Sequence, residues 1–189
     1  PLLENGCLRD LRPYFVGCRD ITSVIADVEA QIAANHFAAD ALTALGNGSL
    51  LSLWMSHLHD VAREEVEHLC TDLQPAVAKD WLDGIPLVLS LSVVNGRLQV
   101  DFTGTGGPHR GNLNAPLSVV RAAVLYGLRV LSQREIPLNE GALSVVDILL
   151  PPTSILSPPL GAAVVGGNVE TSQRITDLFL RAAGAQAAS

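Results

Sequence analysis

The chain has 189 residues, of which 48% are hydrophobic and 16% are charged, a balance typical of compact globular proteins. Its formal net charge of −7, with 12 Lys and Arg residues in total, argues against a surface that binds the phosphate backbone of nucleic acids. The longest apolar runs, such as residues 85–94, are too short to span a membrane. We therefore expect no nucleic-acid partner and no membrane partner.

The cysteines and the chain start indicate the cellular setting. Cys7, Cys18 and Cys70 are odd in number and lack the paired spacing of a disulfide framework or a structural zinc site. No secretory signal pattern is present, so a reducing cytoplasm is the expected location. The sequence opens on Pro1 and its only methionine is Met55, and we therefore expect an internal piece of a longer protein.

Residues 1–75 predict a helical segment. Residues 1–19 form an irregular lead-in without a sustained period. Asp20 is expected to cap a helix over 21–45, whose apolar positions lie three and four apart: Ile21, Val24, Ile25, Val28 and Ile32. After the glycine turn at 46–48, Ser49 is expected to cap a second, antiparallel helix to about residue 70. Its predicted apolar face consists of Leu51, Trp54, Leu58, Val61, Val66 and Leu69.

Residues 76–189 predict a mixed α/β segment. After a polar connection to residue 84, apolar residues alternate on both sides of Asn95-Gly96, the strongest local signal for a β-hairpin. Leu98, Val100 and Phe102 are expected to face the core, which sends Asp101 to the opposite face. The inward residues of the first strand are Leu87, Leu89, Leu91 and Val93.

The rest of this segment predicts two helices and two strands. A helix is expected from Pro116, with Asn114 or Ala115 as its cap. Strands are expected over 142–150 and 162–167, and a final helix follows Asn168. The order of elements predicts an α+β fold, with an N-terminal antiparallel helix pair followed by a mixed sheet with a β-hairpin and packed helices.

One polar stripe on the second predicted helix resembles a metal site. His57, Asp60, Glu64 and His68 recur at helical spacing, and Glu65 with His68 matches half of a carboxylate-bridged metal pattern. One helix cannot surround an ion, and the second half of that pattern is absent. A solvated face with local charge pairs is therefore the favoured interpretation.

The stretch "DFTGTGGPHRG" is rich in glycine and follows a predicted strand. It matches neither a Walker loop nor a dinucleotide fingerprint, so ATP binding by this chain alone is disfavoured. A simple connection between hairpin and helix would leave its concentration of polar side chains unexplained, and a role in lining a site stays open. His109 is the only histidine in this loop and is either a catalytic group or a surface residue.

The stretch "VVGGNVETSQR" at 164–174 concentrates polar groups at a predicted helix start. Free N–H groups of a first helical turn form a ready site for a carboxylate, a phosphate or a developing oxyanion. An ordinary helix start would also explain Asn168 as N-cap and Glu170 in the first turn. On the residues alone, both interpretations stay open.

Four ordered stretches resemble the hydantoinase B/oxoprolinase family: "DVEAQIAAN", "VDFTGTGGPHRGNLNAP", "IPLNEGAL" and "PPTSILSPPLGAAVVGGNVETSQR". The resemblance spans nearly the whole chain and a middle portion of a typical family member. It implies that 1–75 and 76–189 together form part of one larger hydantoinase B-like domain.

The resemblance implies a component of an ATP-dependent hydrolase of cyclic amides, namely hydantoins, 5-oxoproline or lactams. Such a component works in a hetero-oligomer with a hydantoinase A-type subunit, which binds ATP and activates the substrate by phosphorylation. The upstream segment expected to supply ligands for a divalent metal is absent, so any metal ligands lie outside this chain, which is expected to be inactive alone. The alternatives are a subunit of an acetone- or acetophenone-type carboxylase and a non-catalytic scaffold fragment.

Carried over position by position, the family motifs assign site residues and no metal ligand. Asn168, Gln173 and the amides after Gly167 are expected to hold a substrate carbonyl or phosphoryl oxygen, with Arg174 as counter-charge. Asp101 or Glu170 is expected to position the attacking water as a base. The residues expected to bind substrate are Thr103, Thr105, Asn112, Asn114, Gly166, Gly167 and Ser172.

Overall fold

The structure is a computed structural model that describes residues 3–4, 7–132 and 134–186. Residues 1, 2, 5 and 6 of the predicted lead-in lie outside the described residues. The strands and helices in chain order are β1 (Leu3–Glu4), β2 (Cys7–Leu8), α1 (Ile21–Ala44), α2 (Gly48–Asp72), β3 (Ala76–Leu82), β4 (Ile85–Val94), β5 (Arg97–Asp101), α3 (Leu117–Leu131), β6 (Val146–Leu149) and α4 (Glu170–Ala182). This α+β order, with helices first and a mixed sheet after them, confirms the predicted fold class.

The chain divides into two compact units, Pro1–Trp54 and Met55–Ser189. In the first unit, β1 and β2 form an antiparallel pair and Arg12–Tyr14 forms a short 3-10 helix, so the prediction of a wholly irregular lead-in was wrong. The Asp20 carboxylate accepts the Ser23 N–H at 3.0 Å and caps α1 as predicted. The five predicted apolar positions of α1 are half-buried, whereas the residues between them are exposed.

The second helix departs from its predicted cap and face. Asn47, not Ser49, supplies the cap, because its Oδ1 accepts the Leu50 N–H at 3.1 Å. In the second unit, the buried stripe of α2 is Ala62, Val66 and Cys70. The predicted face was right at Val66 and wrong at Trp54 and Leu58, which are about half exposed.

A four-stranded sheet in the order β3-β4-β5-β6 forms the centre of the second unit. The first three strands are antiparallel, and β6 joins β5 in parallel. Asn95 and Gly96 turn the β4–β5 hairpin with positive φ angles of 52° and 75°, which confirms the hairpin prediction. The predicted inward faces of both hairpin strands are buried at Leu87, Leu89, Leu91, Leu98, Val100 and Phe102.

Strand β3 lies where the sequence predicted a polar connection. Its buried positions, Ala78 and Leu82, alternate with exposed ones, as in any half-buried strand. The polar residues Lys79 and Asp80 hide this alternation in the sequence. Asp80 is tolerated on the inner face because Arg181 and Arg174 approach its Oδ2 at 3.0 and 3.4 Å.

Two later strands were also predicted incorrectly. Residues 142–150 contain the end of a 3-10 helix, Glu140–Leu143, before β6 begins. Residues 162–167 form no strand, and Val165–Asn168 is a 3-10 helix instead. The N–H of Gly166 makes a tertiary bond to Asn112 O at 2.8 Å and that of Gly167 a local bond to Val164 O at 3.0 Å, so neither N–H can pair in a strand ladder.

Helices α3 and α4 pack closely on each other in the second unit. A Cβ added to Gly127 of α3 would lie 2.4 Å from the Phe179 ring of α4, so glycine is required for this contact. Near the helix starts, a Cβ added to Gly167 would lie 3.1 Å from Ala115 Cα. Contacts at both ends show that the helices run in the same direction. In the part of the chain that the structure describes, every helix is too short or too polar to cross a membrane.

Candidate active site

Two loop segments meet where α3 and α4 begin. We call residues 103–116 the polar loop and residues 163–169 the glycine loop. The N–H of Gly166 donates to Asn112 O at 2.8 Å, and the side-chain amide of Asn114 donates to Ala163 O at 2.9 Å. The two motifs, about fifty residues apart in sequence, are therefore joined into one cluster.

Asn114 is the buried centre of this cluster. Its side chain is fully buried, and its Oδ1 accepts the N–H of His109 at 2.8 Å. Besides Ala163, its Nδ2 donates to the carbonyl oxygens of His109 at 3.0 Å and Gly111 at 3.2 Å. A carboxamide has two N–H hydrogens, so all of its donor capacity is used inside the protein.

The two glycines of the glycine loop permit a close approach of two backbones. A Cβ on Gly167 would lie 2.0 Å from Asn114 O, a separation that no side chain tolerates. A Cβ on Gly166 would lie 2.9 Å from Asn112 Oδ1 and 3.0 Å from the Leu113 side chain. Next to them, the buried Thr171 hydroxyl donates to Leu113 O. Glycine is required here for contact, not for a left-handed turn.

The start of the polar loop is anchored to the sheet. Thr105 is buried, and its Oγ1 accepts the Val88 N–H at 3.0 Å and donates to Val88 O at 3.1 Å. Asp101 is half-buried at the end of β5, and its Oδ1 accepts the N–H of the exposed Thr103 at 2.8 Å. Among the described residues, no hydrogen bond joins Asp101 or Thr103 to the stretch 164–174.

A second group of motif residues lies open at the start of α4. Asn168, Glu170 and Gln173 are exposed. Within the described ranges, their side chains make no hydrogen bond or ion pair. The half-buried Ser172 donates from Oγ to Asn168 O at 2.7 Å. Asn168 is not the N-cap, which one of the two open interpretations allowed, because α4 begins at Glu170 and its N-cap, Val169, makes no side-chain cap bond.

Arg174 lies on the sheet side of α4. Its Nη1 is 3.4 Å from Asp80 Oδ2, and the Arg181 guanidinium shares the same oxygen at 3.0 Å. Its side chain remains 41% exposed, so it is accessible to solvent while it pairs with β3. Sequence reasoning missed Asp80 as its partner, because β3 itself was missed.

His109 is engaged through both ring nitrogens. Its Nδ1 accepts the Gly111 N–H at 2.9 Å, and its Nε2 lies 3.3 Å from Asp83 Oδ2 in the β3–β4 turn. An N–H donating to Nδ1 assigns the neutral ring its proton on Nε2, facing the carboxylate. This geometry ties the polar loop to the β3–β4 turn. No sequence signal could have paired two residues 26 positions apart.

The polar stripe of α2 is a solvated face, as predicted. His57, Asp60, Glu64 and His68 are all exposed. Arg63 pairs with Glu67 at 2.7 Å and with Asp60 and Glu64 at 3.5 Å, and the Glu67 carboxylate raises the pKa of the guanidinium above its usual value. Over the described residues, no group of three or more His, Cys, Asp or Glu side chains is arranged to hold a metal ion.

The electrostatics of the cluster favour an oxygen that carries negative charge. Parallel α3 and α4 bring two positive helix ends together, and neither N-cap, Pro116 or Val169, makes a side-chain cap bond. The first turn of α3 has no acidic residue, and that of α4 has only Glu170. Such an end can bind a carboxylate, a phosphoryl group or a polarised carbonyl oxygen.

Comparison with known proteins assigns this chain to a family. The sequence profile of the hydantoinase B/oxoprolinase family matches residues 4–189. The 5-oxoprolinase of Dictyostelium discoideum is 36% identical over 205 residues, covering 100% of this chain and 16% of that relative. The 5-oxoprolinase 1 of Arabidopsis thaliana is 38% identical over 196 residues, covering 92% of this chain and 15% of that relative.

A solved structure shares the fold. The ATP-dependent caprolactamase from Pseudomonas jessenii superposes with a TM-score of 0.74 at 19% sequence identity, over 99% of this chain and 34% of that chain. The chain thus spans about one sixth of the length of the 5-oxoprolinases it matches. The profile match confirms the resemblance predicted from the four ordered stretches. The chain belongs to the hydantoinase B/oxoprolinase family.

Proposed function

We propose that this chain is part of the B-type component of an ATP-dependent hydrolase of cyclic amides such as 5-oxoproline, hydantoins or lactams. The observation that carries the proposal is the family match over 4–189, which includes every residue of the loop cluster. The names of its relatives, 5-oxoprolinase and ATP-dependent caprolactamase, support this substrate class. The proposal includes a hydantoinase A-type partner that binds ATP, within a hetero-oligomer.

The chemistry explains why two components are needed. An unstrained cyclic amide is a poor electrophile, and transfer of the γ-phosphoryl group of ATP to its carbonyl oxygen makes the carbonyl carbon more reactive and releases ADP. Water adds to that carbon, the C–N bond breaks with a proton passing to the ring nitrogen, and a second water hydrolyses the resulting acyl phosphate to carboxylate and phosphate. The chain described here then has to hold the activated substrate and direct water to it. Charge develops on oxygen during this attack, and preorganised N–H donors stabilise such charge best.

The open residues at the start of α4 fit these roles. Asn168 and Gln173 have side-chain amides that no other described residue engages, so they are available to donate to a substrate oxygen. The N–H groups of the first turn of α4 add donors at the positive end of the helix. Glu170 or Asp101 acts as the base that orients water. Arg174 supplies counter-charge from the sheet side of α4.

The test uses the full-length protein together with its A-type partner. ATP consumption and ring-opened product are measured with 5-oxoproline, hydantoins and lactams, with and without bicarbonate. The proposal predicts that ring opening is coupled to ATP use without bicarbonate. A carboxylated product that requires bicarbonate would instead indicate the carboxylase alternative. Absence of ATP use with every substrate would overturn the proposal and favour the scaffold alternative.

A further inference from the structure

Thr171 links the first turn of α4 to the loop before α3. It is fully buried, and its hydroxyl donates to the carbonyl oxygen of Leu113, 58 positions earlier in the chain. A threonine in a first helical turn usually faces solvent or bonds within its own turn. Here the hydroxyl makes a tertiary bond, so it fixes how α4 is seated against the polar loop.

Asn114 makes a second link across the same junction. Its Nδ2 reaches Ala163 O at 2.9 Å, and its backbone oxygen lies against Gly167. Asn114 and Thr171 therefore hold the glycine loop from both of its ends. Between these two links lies Asn168, and two residues after Thr171 lies Gln173.

We infer that Thr171 and Asn114 are positioning residues, which set the place of Asn168 and Gln173 relative to the polar loop. This inference rests on the proposed function, because Asn168 and Gln173 are its proposed substrate donors. A small rotation of α4 about its axis would move the side-chain amides of both donors without changing their capacity to donate hydrogen bonds. Misplacement of about 1 Å can lower turnover by as much as about a hundredfold.

The test uses one pair of conservative variants and one matched control. Thr171→Val removes the hydroxyl and keeps the shape, whereas Thr171→Ser keeps the hydroxyl. Thr176→Val makes the same change five residues later, where the hydroxyl donates to Ser172 O at 3.0 Å and, within the described part of the chain, bonds to no second segment. Substitution of Asn114 would remove a fully buried side chain and its bonds to the carbonyl groups of His109, Gly111 and Ala163, which endangers folding, so the test uses Thr171.

Two experiments are made on the full-length protein with its A-type partner, below the melting temperature of every variant. The first measures kcat and KM for the cyclic amide that the wild-type complex turns over. The second measures the rate of hydrogen exchange at the Gly166 amide, which donates to Asn112 O. We expect Thr171→Val to lower kcat by about 10- to 100-fold, with little change in KM, and to speed exchange at Gly166. Thr171→Ser restores both, and Thr176→Val changes neither.

Two results would overturn the inference while the proposed function stands. One is a wild-type kcat and a protected Gly166 amide in Thr171→Val. The other is an equal loss of kcat in Thr176→Val, which would indicate general weakening of α4. If the proposed function is wrong, the wild-type complex itself turns over no cyclic amide, and the inference about Thr171 fails with it. This result differs from both of the results above, in which the wild-type complex is active.

Discussion

The loop cluster contains two groups of motif residues that differ in what holds them. The locked group, Asn114, Gly167 and Thr171, is buried, and its polar groups or backbone contacts join the polar loop to the glycine loop. The open group, Asn168, Glu170 and Gln173, is exposed at the start of α4. The stretch 164–174 thus contains both buried residues that join the two loops and exposed residues that we propose contact substrate.

Helical spacing explains this division. Gly167, Thr171 and Ile175 follow one another at four-residue intervals, and all three are buried toward the polar loop and the core. Asn168 and Gln173 lie off this stripe. If the open residues contact substrate as we propose, substitutions in the locked group should change stability and activity together, whereas those in the open group should change activity alone.

The largest effect is expected from Gly167→Ala. The added Cβ would lie 2.0 Å from Asn114 O, a backbone atom that cannot move without separating the two loops. We expect the free energy of unfolding to fall by about 3 kcal/mol or more, the upper range for overpacking. Urea denaturation of the full-length protein measures this change.

Gly107→Ala is the matched control for that variant. A Cβ on Gly107 would lie more than 4 Å from every heavy atom of the described residues that are not its chain neighbours, so stability is expected to change by less than about 0.5 kcal/mol. Equal destabilisation by the two substitutions would show that the junction at Gly167 has no special role.

Arg174 is half-buried and belongs to neither group. Its ionic partner, Asp80, can be substituted separately. Asp80→Asn is expected to lower stability by about 1–2 kcal/mol, because two guanidinium groups lose an ionic partner that is only 21% exposed. If Arg174 is a counter-charge for substrate, Arg174→Gln lowers kcat/KM about tenfold or more, whereas Asp80→Asn has little effect on it. Arg181→Gln, which removes the other guanidinium, is the control. Equal kinetic losses in Arg174→Gln and Arg181→Gln would indicate a structural role alone.

The smallest effect is expected at the parallel edge of the sheet, outside both groups. Arg97 donates to Asp147 at 2.8 and 2.9 Å and holds the pKa of that carboxyl below its usual value. A lowered folded pKa contributes stability that is present above the unfolded pKa of about 3.9 and is lost as pH falls through the folded value. Asp147→Asn should therefore lose less thermal stability than the wild type on acidification below about pH 4, with unchanged activity at neutral pH.

A second carboxyl serves as a control that distinguishes loss of the Arg97–Asp147 ion pair from a general effect of acid on stability. Asp72 is exposed at the end of α2, and Asp72→Asn should keep the wild-type response to acid. An acid response of Asp147→Asn identical to that of the wild type would contradict the assigned coupling.

Periodic and turn signals predicted most of the fold. The β4–β5 hairpin, the apolar face of α1 and the α+β order all follow from spacing and from Asn95-Gly96. Strand β3 was missed because Asp80 occupies an inward position, and only the tertiary approach of Arg174 and Arg181 makes that burial tolerable. Local patterns cannot report a partner about a hundred residues away.

The sequence indicated which residues belong to the candidate site, but not how they divide into a buried and an exposed group. The family motifs indicated Asn114, Gly167 and Asn168 together as site residues. Nothing in the motifs distinguishes a buried Asn114 with four bonds from an exposed Asn168 whose side chain bonds to none of the described residues. The expected strand over 162–167 failed for the same reason, because the bond from Gly166 to Asn112 is tertiary.

Asn168→Ala and Gln173→Ala test most directly whether the open residues of 164–174 contact substrate, as we propose. Compared with the wild-type complex, each variant is expected to lower kcat/KM for the cyclic amide by about 100-fold, as loss of an oxyanion donor does. The melting temperature should stay at the wild-type value. Unchanged turnover in both variants, or a loss of turnover that only parallels a loss of stability, would contradict the claim.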